Sequence, residues 1–220
     1  MNREAGRILH SARVPDHVAE QSFGPWEIKR HRIERTLAGA IAIFECGTDR
    51  FAALHQHTAE TLMQDHGEVV MEDTPRELAR HLPIWLEARG RVLVTGLGLG
   101  CVVRGLLHKP EVDHVDVVEI DAGILSAIGA EFSGNPRVNL VHGDALKVKW
   151  PRSARWDFAW HDLWCENGRL DMLHVKLMIR MRSRCQRQGA WGLDRSVKRV
   201  AAKYAGTIIG GRRARSEAGT

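Results

Sequence analysis

The chain is 220 residues long, with 44% hydrophobic and 27% charged side chains, a make-up that excludes a disordered or fibrous protein and suits one sizeable globular domain with a small appendage. No apolar run approaches the roughly 20 residues that cross a bilayer, and the first residues, "MNREAGRILHSARVPDHVAE", carry charges and a proline where a secretory leader needs an apolar core, so the expectation is a cytoplasmic protein with no membrane partner. The formal net charge is +5, gathered in "RMRSRCQR" (180–187) and in the tail "GGRRARSEAGT" (210–220). Cys46, Cys101, Cys165 and Cys185 are scattered without CxxC spacing, which reads as reduced thiols rather than a disulfide framework or a zinc site.

In chain order, residues 1–25 show no strong periodicity and are expected to be loosely attached. From 26 to 73 the pattern is β-like: "WEIKRHRIERT", "AGAIAIFECG", "DRFAALHQHT" and "ETLMQDHGEVVMED", with turn signals at Gly47-Thr48-Asp49 and His66-Gly67, predict a small antiparallel sheet. "TPRELARHLPIWLEARG" starts as a helix, with Thr74 as N-cap, Pro75 at the first helical position and Glu77 three residues after the cap.

After Gly90, apolar strands alternate with helical stretches up to about residue 205. Strands are predicted near 91–95, 114–119, 137–141, 156–161 and 188–193. One helix between them presents Ile124, Leu125, Ile128 and Phe132 on a single face, and a later one Leu170, Leu173, Leu177 and Met181. The fold class is therefore α/β: a Rossmann-like, doubly wound, mostly parallel sheet behind a small N-terminal antiparallel region. Residues 206–220 read as a basic tail.

The first predicted strand runs into "TGLGLG". Three glycines at alternating positions, Gly96, Gly98 and Gly100, suggest that something comes close to the backbone there, at the place where open α/β sheets bind ligands. Leu97 lies within the same loop. About twenty residues on, "VEID" ends the second strand with Glu119, placed to accept both hydroxyls of a ribose, or, in the plain alternative, a surface glutamate. "HGDA" ends the third strand with Asp144, either a reader of an adenine amine or a helix cap. "WDFAWHDLW" ends the fourth with Asp162, flanked by His161 and Trp164. A glycine or an acid at four successive strand ends points to a ligand containing a ribonucleoside.

These stretches resemble, in order, the motifs of the class I S-adenosylmethionine-dependent methyltransferase superfamily, and within it the spermidine-synthase-like branch. "GEVVMEDTPRELARHLP" is similar to the branch's interdomain segment, with Glu72 and Glu77 at two of its acids. The likeness covers roughly 60–165. It implies S-adenosyl-L-methionine, S-adenosylhomocysteine or a decarboxylated analogue as ligand. Gly96, Leu97, Gly98 and Gly100 would lie along its amino-acid part, Glu119 at the ribose, Ile120 against the adenine, and Asp144 with Ala145 at the adenine edge. Asp162 would take a proton from the attacking group. Beside it His161 reads as a second base near neutral pH or, in the plain alternative, as a satisfied structural histidine of the strand. Three positions depart from the branch. Leu99 stands where it has an aspartate in the glycine loop, Pro75 where it has a tyrosine, and Cys165 where it has a second acid.

The expected activity is methyl transfer to an unspecified acceptor. Aminopropyl transfer and a non-catalytic adenosyl-binding protein are the alternatives. Residues 194–220 are too few for the sixth and seventh strands of that superfamily, so the last strand is expected to leave an edge open to a second copy, as in a homodimer. The arginines leave nucleic acid open as a partner, although no aromatic residues interleave with them as a base-stacking surface would require. His55, His57 and His66 lack the acid or cysteine spacing of a metal site. The tryptophans, among them Trp26, Trp85, Trp150, Trp156, Trp160 and Trp191, read as packing residues.

Overall fold

The computed structural model describes residues 3–32, 48, 50–58, 67–163, 170–193 and 207–208. An N-terminal helix, α1 (Arg3–Ala12), precedes a four-stranded antiparallel sheet of β1 (Gln21–Phe23), β2 (Trp26–Arg32), β3 (Arg50–Gln56) and β4 (Glu68–Glu72), in that order. A broken helical segment follows: α2 (Pro75–Leu78), a 3₁₀ turn (Ala79–His81) and α3 (Leu82–Glu87). The break falls just before Pro83, which has no N–H for a helix interior. Thr74 caps α2, its hydroxyl accepting the Glu77 N–H at 3.4 Å, with Pro75 at the first helical position.

The main sheet is parallel. It comprises β5 (Gly90–Thr95), β6 (Val112–Glu119), β7 (Val138–His142), β8 (Trp156–His161), β9 (Cys185–Ala190) and a short β10 (Thr207–Ile208), in the order β10-β9-β8-β5-β6-β7. The helices α4 (Cys101–Leu107), α5 (Ala122–Ala127) and α6 (Leu170–Met181) connect them. The chain order reverses between β5 and β8, and this is the crevice where a doubly wound sheet takes a ligand. Both faces are covered, which explains the continuous apolar strands. Val92, Val94, Val115 and Val117 pack with Val103 and Leu106 of α4 on one side; Leu93, Val118 and Ala159 meet Leu177 and Met181 of α6 on the other.

A carboxylate is buried in the middle of this sheet. Asp116 accepts from Arg91 Nε (2.8 Å), Asn139 Nδ2 (2.9 Å) and Trp156 Nε1 (2.7 Å), so β5, β6, β7 and β8 share one carboxylate. Burial raises the pKa of that group, but the three donors more than offset it and hold it below the usual carboxylate range.

Two expectations are corrected. Residues 3–25 are not loose: α1 buries Ala5, Ile8, Leu9 and Ala12, and its Ser11 hydroxyl meets His108 at 3.1 Å beside α4. Asp73 then accepts the Val14 N–H (2.9 Å) and the Ala52 N–H (2.6 Å), tying this segment and β3 to the interdomain linker. The last long strand is Cys185–Ala190 rather than 188–193, and β10 pairs with it at Arg187 and Gln188, occupying part of the edge left open for a second copy. The arginine stripe is partly tied down, with Arg182 left exposed. Arg180 and Arg184 donate to the carbonyls of Val148 and Pro151, and Arg187 pairs with Glu87. Among the described residues no helix is long and apolar enough to cross a membrane. "AGAIAIFECG", His66, Trp164, Cys165 and the tail beyond 208 lie outside the described residues.

Candidate ligand site at the strand tips

The residues just beyond the strand ends are fixed by the backbone ladder itself. Gly96 N–H donates to Val118 O (2.8 Å), Gly143 N–H to Glu119 O (2.8 Å), Asp162 N–H to Thr95 O (2.7 Å) and Trp191 N–H to His161 O (3.0 Å). Each tip continues its sheet for one more bond, so the side chains there are carried on rigid backbone rather than on free loops.

Above these tips lies a cavity of about 610 Å³, bounded on the other side by the antiparallel sheet. That volume is in the range of small-molecule sites. Its floor includes Gly96, Gly98, Glu119, Ile120, Asp144, Ala145 and Asp162, and its roof Trp26, Leu54, Gln56, Val70 and Met71. The broken helical segment adds Glu77 and His81, and the residue after β9 adds Trp191.

The glycine loop owes its composition to the protein itself. A methyl group on Gly96 (φ 91°) would lie 1.8 Å from the Asp162 carbonyl oxygen, and one on Gly98 (φ 51°) 2.8 Å from Met71 Sδ. Gly100 (φ 78°) is packed under Phe132 and precedes α4. The close approach inferred from the glycines is thus real, but what approaches is the end of β8 and the roof residue Met71. Leu97 and Gly100 are not on the cavity wall. The Leu97 side chain is in the core and its N–H donates to Glu119 Oε2 at 2.7 Å. Leu99 is fully buried, with its N–H against Met71 Sδ.

Glu119 is 5% exposed, and its other oxygen accepts the Asp121 N–H at 2.9 Å. Each oxygen has one backbone donor and retains a lone pair. Beside it Ile120 is 66% exposed, a large apolar side chain left at the cavity rim. Asp144 accepts the Leu146 N–H (2.8 Å) and pairs with Lys147 (3.0 Å). Burial raises its pKa, but the Leu146 N–H and the Lys147 ammonium outweigh that and lower it, so it is an anion that also caps its own turn.

Asp162 behaves differently. Burial, with the Glu77 and Glu119 carboxylates near it, pushes its pKa up to about 7. His161, expected as a second base, is withdrawn. It is fully buried within the sheet, between Thr95 Oγ1 (3.0 Å at Nδ1) and Gln188 Oε1 (3.1 Å at Nε2), and burial pushes its pKa down to about 4.

Sequence reasoning missed the histidine that does reach the cavity. His81 is fully buried, flanked by Trp85 (5.5 Å) and Trp160 (6.0 Å), and its Nε2 lies 3.9 Å from Asp162 Oδ2. Burial and the charge of Arg80 push its pKa down to about 3, so the ring is neutral. Trp26 and Trp191, read as packing residues, also face the cavity. Trp191 Nε1 donates to Glu77 at 2.7 Å. Trp26 Nε1, Gln56 Oε1 and His81 Nε2 are buried polar atoms without a hydrogen-bond partner among the described residues, and all three belong to residues on the cavity wall. Trp26 and Gln56 are cross-strand neighbours of β2 and β3, a relation that the single sequence does not display. His55 and His57 do not converge: the first contacts Gly67 O and the second Glu27. Among the described residues no cluster of metal-ligating side chains occurs.

No protein-family model matches the chain. Over 71 residues, 30% of this chain, it is 37% identical to the ribosomal RNA small subunit methyltransferase A of Pseudomonas syringae pv. tomato, of which it covers 26%. Over 121 residues, 50% of this chain, it is 27% identical to the polyamine aminopropyltransferase of Agathobacter rectalis, of which it covers 42%. The chain thus spans less than half the length of these relatives. Among solved structures, the CcbJ methyltransferase of Streptomyces caelestis is similar over 48% of this chain and 44% of its own, at 22% identity and a TM-score of 0.38. Likeness at that level says nothing of what this chain binds.

Proposed function

We propose that the chain binds S-adenosyl-L-methionine at the strand tips and transfers its methyl group to a small molecule held under the antiparallel sheet. The observation that carries this reading is the pairing, on one cavity floor, of Glu119 with free acceptor capacity beside the exposed Ile120, and of Asp162 across the switch point from them. The residues present fit the ligand. Gly96 and Gly98 leave the loop without side chains on the wall, Glu119 can take ribose hydroxyls, and Ile120 and Ala145 offer apolar cover for a base. The 71-residue similarity to a ribosomal RNA methyltransferase supports methyl transfer but not the small-molecule acceptor.

The ligand would supply an electrophilic methyl carbon; the chain supplies position and a proton acceptor. Asp162 suits the second task. A carboxyl with a pKa near 7 is half ionised at neutral pH and is a stronger base than an ordinary aspartate. Aminopropyl transfer is a second reading, favoured by the 121-residue match. Against it, Leu99 in the core leaves no carboxylate at that point of the loop.

Isothermal titration with S-adenosylmethionine and S-adenosylhomocysteine tests the assignment. Wild type is expected to bind both, and Glu119→Ala and Asp144→Ala to lose most of the affinity. No heat from the wild type with either ligand at millimolar concentration would overturn it.

A further inference from the structure

We propose that the acceptor presents a hydroxyl oxygen, held between His81 Nε2–H and the Asp162 carboxylate, so that the reaction is O-methylation rather than N-methylation; this rests on the methyl-donor reading above.

The tautomer of His81 is fixed by its neighbour. Trp160 Nε1 lies 3.2 Å from His81 Nδ1, and an indole nitrogen can only donate. Nδ1 is therefore bare, and in the neutral ring the proton sits on Nε2. That nitrogen lies 3.9 Å from Asp162 Oδ2, beyond hydrogen-bond length, and has no hydrogen-bond partner among the described residues. A buried donor left so is costly unless a bound group satisfies it. Asp162 Oδ2 on the far side of the gap is an acceptor. An oxygen at roughly 2.9 Å from the nitrogen and roughly 2.7 Å from the carboxylate would see the two at an angle of about 90°, so one small group can bridge them.

The bridging group must accept from His81 and donate to Asp162 while keeping an electron pair for attack. A hydroxyl does all three: one lone pair takes the N–H, its own proton goes to the carboxylate, and the second lone pair is free. An ammonium has no lone pair. A neutral amine has one, which either accepts from His81 or attacks, and cannot do both. In the transfer the oxygen lone pair forms the new C–O bond, the C–S bond of the sulfonium breaks with its pair going to sulfur, and the hydroxyl proton passes to Asp162. The products are a methyl ether, a neutral thioether and a protonated Asp162. The cavity wall combines the apolar and aromatic side chains of Trp26, Met71, Leu173 and Trp191 with the carboxylates of Glu77 and Glu119, and the former give cover to an aromatic body that carries the hydroxyl.

Phenol, aniline and benzylamine are matched single-ring probes. Their binding to the full chain is read by saturation-transfer NMR, with and without S-adenosylhomocysteine, whose own affinity is measured by calorimetry on the same samples. Phenol is expected to bind about tenfold more tightly than either amine. His81→Phe should erase the preference, and His81→Gln, which returns an N–H to the place of Nε2, should retain it. Equal or tighter binding of an amine, no binding of phenol, or an unchanged preference in a His81→Phe variant that still binds S-adenosylhomocysteine would overturn the proposal. Should His81→Phe not fold, the wild-type ratio decides alone. Loss of S-adenosylhomocysteine binding with the phenol preference intact would instead sink the methyl-donor reading.

Discussion

The floor and the roof of the cavity are built in opposite ways. The floor comes from consecutive strand ends, so Gly96, Glu119, Asp144 and Asp162 appear in the sequence in the order in which they stand in space. Each lies on ladder-bonded backbone or, for Asp144, one residue beyond it. The roof and the gap around Asp162 come from Trp26, Gln56, Met71, His81 and Trp191, drawn from five separate places in the chain with no common spacing. The floor is constrained by the geometry of the fold, whereas the roof is free to set what is recognised. Substitutions in the floor should therefore cost stability or ligand affinity, and those in the roof should change selectivity.

The largest effect is expected at Gly96. Its positive φ and a methyl group only 1.8 Å from the backbone of Asp162 leave Gly96→Ala no place to relax, and denaturant unfolding should show a loss of about 3 kcal/mol or more. Gly98→Ala meets the flexible end of Met71 instead and should cost about 1 kcal/mol. Equal losses at the two positions would break the account of the loop.

Glu119→Gln comes next. One oxygen is replaced by an NH₂ group that faces a backbone N–H, so stability should fall by about 1–3 kcal/mol. S-adenosylhomocysteine affinity should fall at least tenfold in calorimetry. For Asp162 the readout is pH dependence. Its pKa stands near 7 in the folded chain against the ordinary 3.8, so between those values the folded state keeps a proton that the unfolded chain has released. Stability from this group is therefore present below about pH 4, and is lost as pH rises through 7. Asp162→Asn, which cannot ionise, should gain on wild type in thermal unfolding as pH rises from 4, the gain levelling off above 7. A pH-independent difference would remove the buried-base reading. The smallest effect is expected for Ile120→Ala, exposed at the rim, where unfolding should be unchanged and S-adenosylhomocysteine affinity should drop by about 1 kcal/mol.

What was legible follows the same division. The parallel strands announced themselves because burial on both faces leaves continuous apolar runs such as Val92-Leu93-Val94. The position of the carboxylates at the strand tips was legible because strand length fixes their spacing. The identity of what presses on the glycines was not legible, since the carbonyl of Asp162 is brought against Gly96 only by the pairing of β5 with β8. The places of His161 and His81 were not legible for the same reason. The first sits on a strand tip next to Asp162 but turns into the sheet, and the second lies far away in sequence but turns toward the cavity. Helix α1 was overlooked although Ala5, Ile8, Leu9 and Ala12 carry the i, i+3, i+4, i+7 spacing of an apolar stripe. Its signal was present and was masked by the polar residues around it.

The central claim is met most directly by a crystal structure of the chain with S-adenosylhomocysteine. The account predicts the ribose hydroxyls on Glu119, the base against Ile120 and the sulfur facing the gap between His81 and Asp162. Ligand bound elsewhere, or lying in the cavity with the Glu119 carboxylate contacting only the Leu97 and Asp121 N–H groups, would contradict it.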